Sequence, residues 1–526
     1  MTVSTMLETE RKYDVDESTQ LPDLSALGTT ELSDPITLRA IYYDTADWSL
    51  ARRLTVLRRR TGGADEGWHI KIPAGDSRTE YQMKATEAES DSTPPAPLLE
   101  VIRSIIRSKP LSEVARLTTE RTIVTVLDNE GGALIEIADD RVSATDIHTG
   151  ILRIWREWEA ELREAAPTDP QSRSELLNQV EEILTAAGAA PPISASKLAR
   201  AIGRTSLGSD MGAGAPAEIA DGELSKTSPA LSVAVAVVGD LVETLVQADP
   251  RARADEPDAV HSMRTTVRRL RSLLATFRGV FDSTVTDEIR TRLGLLGDVL
   301  GAARDAEVRR LRGTALLSAT DQAEPSDSAE PSVETNDVDL RRRLVDDTMG
   351  EYHARLADVN GYLNSAEYFE LLDDLDALVA RPPLGQDALL PAGPTISVAL
   401  AAQSRRTLRR LKKADPANLD QLHAARKAAR KLRYSAEAVS GKPVPLFKKK
   451  KRALAAAAED LHDLLGEHRD AILFGENLHT LEREAQESGE NTAGYEVLSA
   501  REAKNASAAI GKTGSATKSL SKAAQR

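Results

Sequence analysis

The chain has 526 residues, 41% of them hydrophobic, with a formal net charge of −14. That length accommodates two or three domains with cores of their own, and the charge argues against a generic nucleic-acid binder. There is no cysteine, which excludes disulfides, zinc–thiolate sites and cysteine nucleophiles and fits a reducing compartment. Met1 to Ser4 carry no positive charge and no apolar run follows, which predicts no signal peptide. No stretch reaches about 20 consecutive apolar residues, so no membrane span and a cytoplasmic location are expected.

Residues 1 to about 205 read as an α+β unit dominated by strands. The first strand, 6–15, contains LETERKY. Alternate strand residues share a face, so Glu8, Glu10 and Lys12 line one side, and Leu7, Thr9, Arg11 and Tyr13 the other. Paired carboxylates suit a hard divalent cation, and an ammonium suits phosphate. Further strands are expected at 38–44, 54–61, 67–73, 80–84, 120–128, 132–139, 141–146 and 154–163, with helices at 97–106 and 172–187. Charged residues recur at matched parity inside these strands: Arg58 with Arg60, Lys71, Arg121, Glu136 with Asp140, and Glu159 with Glu161. Lys197 follows Ser196 in ASKLAR. One such strand is an ordinary half-exposed edge. Six in one domain point to a closed antiparallel barrel with a charged interior, and eight strands leave room for one small ligand. Such a lumen suits a short polyphosphate with a divalent metal.

Residues 206–227, rich in Gly, Ala, Ser and Pro, read as a flexible linker. From 228 to 526 the chain turns helical, with Leu, Ala and Arg at 3–4 spacing. The acidic, Pro- and Ser-rich stretch 318–337 reads as a disordered insertion, 382–394 as a loop, and the tail as one helix around 495–510 that frays after about 511.

The helical half carries an internal repeat. His261, Arg264, Arg268 and Arg271 stand at i, i+3, i+7 and i+10, as do His423, Arg426, Arg430 and Arg433. Each copy is followed by Leu-Gly-x-x-Arg-Asp, ending at Arg304–Asp305 and Arg469–Asp470. At 100° per residue the four positions fall within an arc of about 80°, so each copy stacks a histidine and three arginines on one stripe. Like charges at these spacings repel, and keeping the stripe twice points to a bound anion. Between Ala401 and Arg452 the chain has seventeen Lys or Arg, Lys427 among them, against three acidic residues. That concentration in an acidic protein suggests a polyanionic partner. With 3% aromatic residues and none interleaved in the basic runs, base stacking on nucleic acid is not expected.

The N-terminal half resembles a CYTH domain of the triphosphate tunnel metalloenzymes. The motif Glu8-x-Glu10-x-Lys12 is followed in order by IYYDT (41–45), LRRR (57–60), WHIK (68–71), Arg78-x-Glu80, IEIADD (135–140) and WEAEL (158–162). The helical half resembles a CHAD domain. The resemblance implies a tunnel-shaped antiparallel barrel over 1–205, joined to a pseudo-twofold α-helical bundle over 228–526. It implies phosphate binding by Lys12, Arg58, Arg60, Lys71, Arg121 and Lys197, and Mg²⁺ or Mn²⁺ held by Glu8, Glu10, Glu159 and Glu161. Glu136 and Asp140 would support these or orient water, completing a catalytic set with Glu8, Glu10 and Lys12. Asp44 and the Arg78–Glu80 pair would lie behind them. Asp139 and Asp140 are adjacent, so strand register decides which faces inward, and Arg59 is expected to face outward.

The expected activity is metal-dependent hydrolysis of inorganic triphosphate to diphosphate and phosphate. The helical half is expected to bind polyphosphate through His261, Arg264, Arg268, Arg271 and Arg304 with His423, Arg426, Lys427, Arg430, Arg433 and Arg469, and association with polyphosphate granules would follow from that. The alternatives are a non-catalytic polyphosphate scaffold, or action on thiamine triphosphate or, as an adenylyl cyclase, on ATP.

Overall fold

The computed structural model describes residues 3–75, 77–84, 93–208, 224–321 and 338–525. The chain divides into two compact units, Met1–Ala215 and Pro216–Arg526. Most of the expected linker, at 209–223, lies outside the described residues, as does 322–337 of the expected insertion.

The first unit is built on strands β1 (Ser4–Glu8), β2 (Glu10–Val15), β3 (Thr29–Leu32), β4 (Ile36–Thr45), β5 (Val56–Thr61), β6 (Gly67–Ala74), β7 (Ser77–Met83), β8 (Leu111–Leu127), β9 (Ala133–Asp146) and β10 (Leu152–Leu162). They form one antiparallel sheet in the order β1-β7-β6-β5-β4-β8-β9-β10-β2, with β3 added to β8. Only Thr9 separates β1 from β2, yet β1 pairs with β7 and β2 with β10. Thr9 touches both ends of the sheet: its carbonyl accepts from the Leu162 N–H at 3.1 Å, and its hydroxyl lies 3.0 Å from that of Ser77. The first strand therefore switches partners midway and curls the sheet so that its two ends meet at Thr9.

Four short helices complete the unit: α1 (Ser49–Arg52), α2 (Ala96–Ile106), α3 (Pro170–Ala186) and α4 (Lys197–Ala201). Leu177, Val180 and Leu184 of α3 cover the outward-facing Tyr13, Ile135, Ile137 and Trp158. Leu198, Ala199 and Ala201 of α4 pack with Tyr42, Leu117, Val142, Ala144 and Trp155. By strand parity these share a face with Arg58, Arg121 and Glu157, so an apolar layer floors the barrel beneath its charged section. Two expected strands, 132–139 and 141–146, are the single strand β9. The polar Asp139-Asp140-Arg141 triplet looks like a turn, but β8 and β10 pair with it on both sides.

The second unit is helical: α5 (Ala230–Arg253), α6 (Ala259–Thr276), α7 (Ser283–Asp321), α8 (Val338–Arg341), a π-helical turn (Arg342–Asp346), α9 (Asp347–Leu363), α10 (Ala366–Ala380), α11 (Ala392–Lys413), α12 (Leu419–Glu437), α13 (Lys448–Glu487) and α14 (Ala493–Ala524). The order α5–α6–α7 recurs as α11–α12–α13, and α6 packs directly against α12. The two repeats thus meet through the helices that carry the basic stripes. Three expectations are corrected here. Helix α7 runs to Asp321, so 318–321 is helical, and α11 begins at Ala392, inside the expected loop. The tail does not fray at 511: α14 continues to Ala524, with Ala516 and Leu520 buried. Helix α5 is long and apolar enough to cross a bilayer by length and composition, contrary to the sequence count, but 56% of that window is buried inside this unit, as befits a core helix.

Candidate functional site

Strand alternation and register bring the tunnel side chains together. Lys12 stands opposite Glu159, and Glu10 opposite Glu161. Glu157 stands opposite Asp140, which in turn faces Arg121. Glu136 pairs with Glu161, Arg58 with His69, and Lys71 with Glu80. Asp140 is fully buried, and the Arg121 guanidinium grips it through two hydrogen bonds of 2.7 and 2.6 Å. Asp139 sits on the other face, in a bidentate pair with Arg156 at 2.8 Å per bond. Register therefore places Asp140 in the tunnel, and Arg59, opposite Trp68, has the outward parity.

One wall is a dense network of alternating charge. Lys12 bonds to Glu10 at 2.9 Å and also to Glu159. Arg121 reaches Glu159 at 2.8 Å. Lys197 opens helix α4 rather than a strand; its ammonium lies 2.9, 2.7 and 2.6 Å from Asp140, Glu157 and Glu159. Burial works against the charges of Glu10, Lys12, Arg121, Asp140, Glu159 and Lys197, and their partners outweigh it. Glu10 and Glu159 hold the Lys12 pKa above the ordinary lysine value. Lys12, Lys197 and Arg121 hold Glu159 well below the usual carboxylate range, and Lys197 and Arg121 lower Asp140.

Two groups of the tunnel, Glu161 and Arg60, lack that balance. On one side three carboxylates crowd together: burial, then repulsion from Glu8 with a contribution from Glu10, pushes the Glu161 pKa up to about 7, although Arg163 lies 3.1 Å away. Arg163 also reaches Glu136 at 3.5 Å, and Lys71 holds Glu8 at 2.6 Å. On the other side Arg60 is the group out of balance: burial, Arg58 and Arg121 push its pKa down to about 9, even though Arg60 pairs with Asp65. Arg58 interacts with Tyr42 and lies 3.6 Å from Glu80. Unrelieved like charges of one sign suit a bound ion of the other sign.

The carboxylates also bear on a metal. Asp140, Glu157 and Glu159 offer ligand oxygens within 4.8 Å of one another, but the Lys197 ammonium already contacts all three. Glu8 is held by Lys71 and Glu10 by Lys12, so of the acidic side only Glu161 is left raised by its neighbours, and carboxylates of this kind suit a hard divalent cation. The sequence reading missed Glu157, although it shares parity with Glu159 and Glu161. It also named Lys71 but passed over its strand neighbour His69, and it did not single out Arg163. Asp44 does not join the tunnel network: it accepts N–H bonds from Thr45, Leu50 and Ala51 at 2.7, 3.0 and 2.9 Å and anchors α1.

In the helical unit the two stripes converge. Burial, Arg264, Arg430 and Arg426 push the Arg268 pKa down to about 9. Burial, Arg426, Arg264 and Arg271 push Arg430 down to about 10 against a raising contribution from Tyr434. Among the described residues, Arg268, Arg271, Arg426 and Arg430 make no ion pair, while Arg264 reaches Asp305 at 3.3 Å. The Nε atoms of Arg264, Arg426 and Arg430 are buried without an acceptor. Buried donors normally find partners, so these three stand out in the seam. His423 bonds to Arg469, and His261 feels Arg304, which pairs with Glu307 at 2.8 Å. Lys427 is exposed and adds to the charge around His423. Arg433 is turned away: Glu437 and Glu459 hold it, each at 2.7 Å. His462 of α13, absent from the sequence reading, lies beside Arg426 and Arg430 with its Nε2 buried and unpartnered.

A curled antiparallel sheet lined by clustered cations and carboxylates, joined to a duplicated helical unit with an arginine-rich seam, defines a two-domain protein of the triphosphate-tunnel class. The comparisons agree: a CYTH domain model matches residues 6–201 and a CHAD domain model matches residues 236–479. The chain belongs to the CYTH–CHAD proteins. It is 37% identical over 524 residues to the uncharacterized proteins Rv2226 and MT2285 of Mycobacterium tuberculosis, covering 94% of this chain and 93% of each relative. Among solved structures, PptA from Streptomyces chartreusis shares 17% identity over 57% of this chain and 100% of its own, with a TM-score of 0.43. The CHAD domain from the plant Ricinus communis shares 21% over 59% of this chain and 96% of its own, with a TM-score of 0.41. CYTH domains are metal-dependent triphosphate-tunnel enzymes with triphosphatase or cyclase activity.

Proposed function

We propose that the barrel hydrolyses a linear inorganic triphosphate and that the helical unit holds long-chain polyphosphate. The observation that carries the first part is the pairing of two unbalanced groups in one tunnel. The guanidiniums of Arg58, Arg60 and Arg121 are crowded enough to depress Arg60, and Glu8, Glu10 and Glu161 are crowded enough to raise Glu161. A phosphate chain relieves the first and a divalent cation the second.

In this reading Arg58, Arg60, Arg121 and Lys71 hold phosphate oxygens, which neutralises the charge that otherwise repels an incoming nucleophile. Lys12 and Lys197 fix Glu159, and Asp140 fixes Arg121 and Lys197. Glu136, sharing Arg163 with Glu161, supports the acidic side. Glu8, Glu10 and Glu161, with Glu159 beside them, would hold Mg²⁺ or Mn²⁺, which when bound supplies charge neutralisation at phosphorus and a more acidic water. The water oxygen bonds to the terminal phosphorus, the bridging P–O bond breaks with its electron pair going to diphosphate, and the water's proton passes to solvent as diphosphate and phosphate leave.

The test is phosphate release from tripolyphosphate, ATP and thiamine triphosphate, with and without Mg²⁺ or Mn²⁺. Metal-dependent release fastest from tripolyphosphate supports the reading. Faster turnover of ATP or thiamine triphosphate assigns a different substrate, and no turnover of any leaves a polyphosphate-binding scaffold.

A further inference from the structure

His69 lies on β6 opposite Arg58 in the register and is 1% exposed. Both of its ring nitrogens face acceptors. Nδ1 is 2.8 Å from Glu80 Oε1, and Nε2 is 2.8 Å from the carbonyl oxygen of Asp65. A carbonyl oxygen cannot donate. Nor does Glu80, since against burial its contacts with His69, Lys71 and Arg58 hold its pKa well below the usual carboxylate range. Two acceptors call for two N–H donors, which only an imidazolium has. A neutral ring leaves a lone pair against an acceptor.

The surroundings oppose that second proton. Burial and the charges of Arg58 and Arg60, against the attraction of Glu80, push the His69 pKa down to about 4. The other groups facing this corner are few. Gln82 of β7 donates to the same Asp65 carbonyl at 3.1 Å. The Asp65 carboxylate takes Arg60, Lys71 of β6 takes Glu8 of β1, Tyr42 of β4 interacts with Arg58, and Arg121 of β8 repels Arg60. The hydrogen-bond geometry is built for a cation, and two guanidiniums keep the cation from forming.

We propose that His69 is a positioning residue that gains a proton when a polyanionic phosphate chain enters the tunnel. This rests on the triphosphate reading of the same site. Phosphate oxygens on Arg58 and Arg60 cancel the repulsion, and the ring then takes its second proton from solvent. As an imidazolium His69 satisfies Glu80 alone. Arg58, 3.6 Å from Glu80, is then released toward phosphate. Substrate affinity is therefore linked to proton uptake.

The experiment follows the histidine signals of the full chain, labelled at Cε1, by NMR between pH 5 and 8, with excess EDTA to prevent turnover. The signal missing from His69→Gln, or from His69→Asn if the first variant does not fold, identifies His69 among the eight histidines. The expected result is a neutral ring in free protein and an imidazolium after saturation with tripolyphosphate. Parent affinity should also fall with rising pH more steeply than that of the variant, by up to tenfold per pH unit. A His69 signal that stays neutral while tripolyphosphate binds overturns this inference alone. Absence of tripolyphosphate binding both in EDTA and with Mg²⁺ overturns the tunnel reading and this inference with it.

Discussion

The guanidinium of Arg264 lies flat against Gly301: a Cβ at that glycine would sit 3.2 Å from Arg264 Nη2. The second repeat has the same relationship, with Arg426 Nη2 only 2.8 Å from the Cβ position of Gly466. The two Leu-Gly-x-x-Arg-Asp strings thus have a physical reason. Each glycine removes a side chain so that the arginine of the facing helix can lie along the helix surface, with its Nε buried.

Replacing Gly466 by Ala therefore separates stability from binding. The displaced atom is the far end of a flexible side chain, so Arg426 can swing aside. Alanine also gains about 1 kcal/mol of helix propensity over glycine. The expected outcome is an unchanged or higher melting temperature with weaker polyphosphate retention. Equal retention would mean that the position of Arg426 is irrelevant to the anion.

Reversing Arg264, Arg268, Arg426 and Arg430 to Glu should abolish retention of long-chain polyphosphate and leave tripolyphosphate hydrolysis in the barrel largely intact. In the parent, binding should weaken steeply with salt, because neutralised phosphates release counterions as they do on nucleic acids. Tight binding by the quadruple variant would shift attention to the exposed basic residues of α11 and the run 448–452.

How far the sequence carried these assignments depended on the kind of signal. Charged residues at period 2 were readable because a curled sheet puts each parity on one face, which is why Glu8, Glu10, Lys12, Arg58 and Arg60 could be grouped. The adjacent pair Asp139–Asp140 could not be resolved by pattern, since a one-residue shift of register exchanges the two faces; pairing with Arg121 and Arg156 resolves it. Lys197 could be picked from ASKLAR but not placed, because its route into the tunnel is a five-residue helix held by tertiary packing. The opening of β8, LSEVARL, has helix-like apolar spacing and became strand only through pairing with β4. The end of α14, rich in Gly, Ser and Thr, has weak helix propensity, and the burial of Ala516 and Leu520 sustains it.

Removing Lys12 or Arg60 tests the cation side of the tunnel. Lys12→Ala frees Glu10 and Glu159 from their shared ammonium, and Arg60→Ala removes a guanidinium aimed at the phosphate. Each should lower kcat/KM for tripolyphosphate by roughly tenfold to a hundredfold, the scale of one or two charged hydrogen bonds. Wild-type kinetics in Arg60→Ala would place the phosphate elsewhere.

Glu161 supplies the pH test of the acidic side. Its pKa is about 7 in the folded chain, above the ordinary glutamate value, so a proton and a cation compete for it near neutrality. Apparent Mg²⁺ or Mn²⁺ affinity should therefore rise with pH, level off above about 7, and fall by up to tenfold per unit below it. Stability runs the other way. A raised carboxyl pKa means that the folded state binds more protons than the unfolded one between the two values. Stability is then lost as pH rises from the unfolded value through about 7. Glu161→Gln removes that repulsion from Glu8 and Glu10, so at pH 8 it should melt higher than the parent while binding metal more weakly and with a flattened pH profile. Glu10→Gln should likewise abolish metal-dependent hydrolysis in a folded barrel, and EDTA should do the same to the parent. A Glu161→Gln protein with parental metal affinity and an unchanged pH profile would remove Glu161 from the metal site.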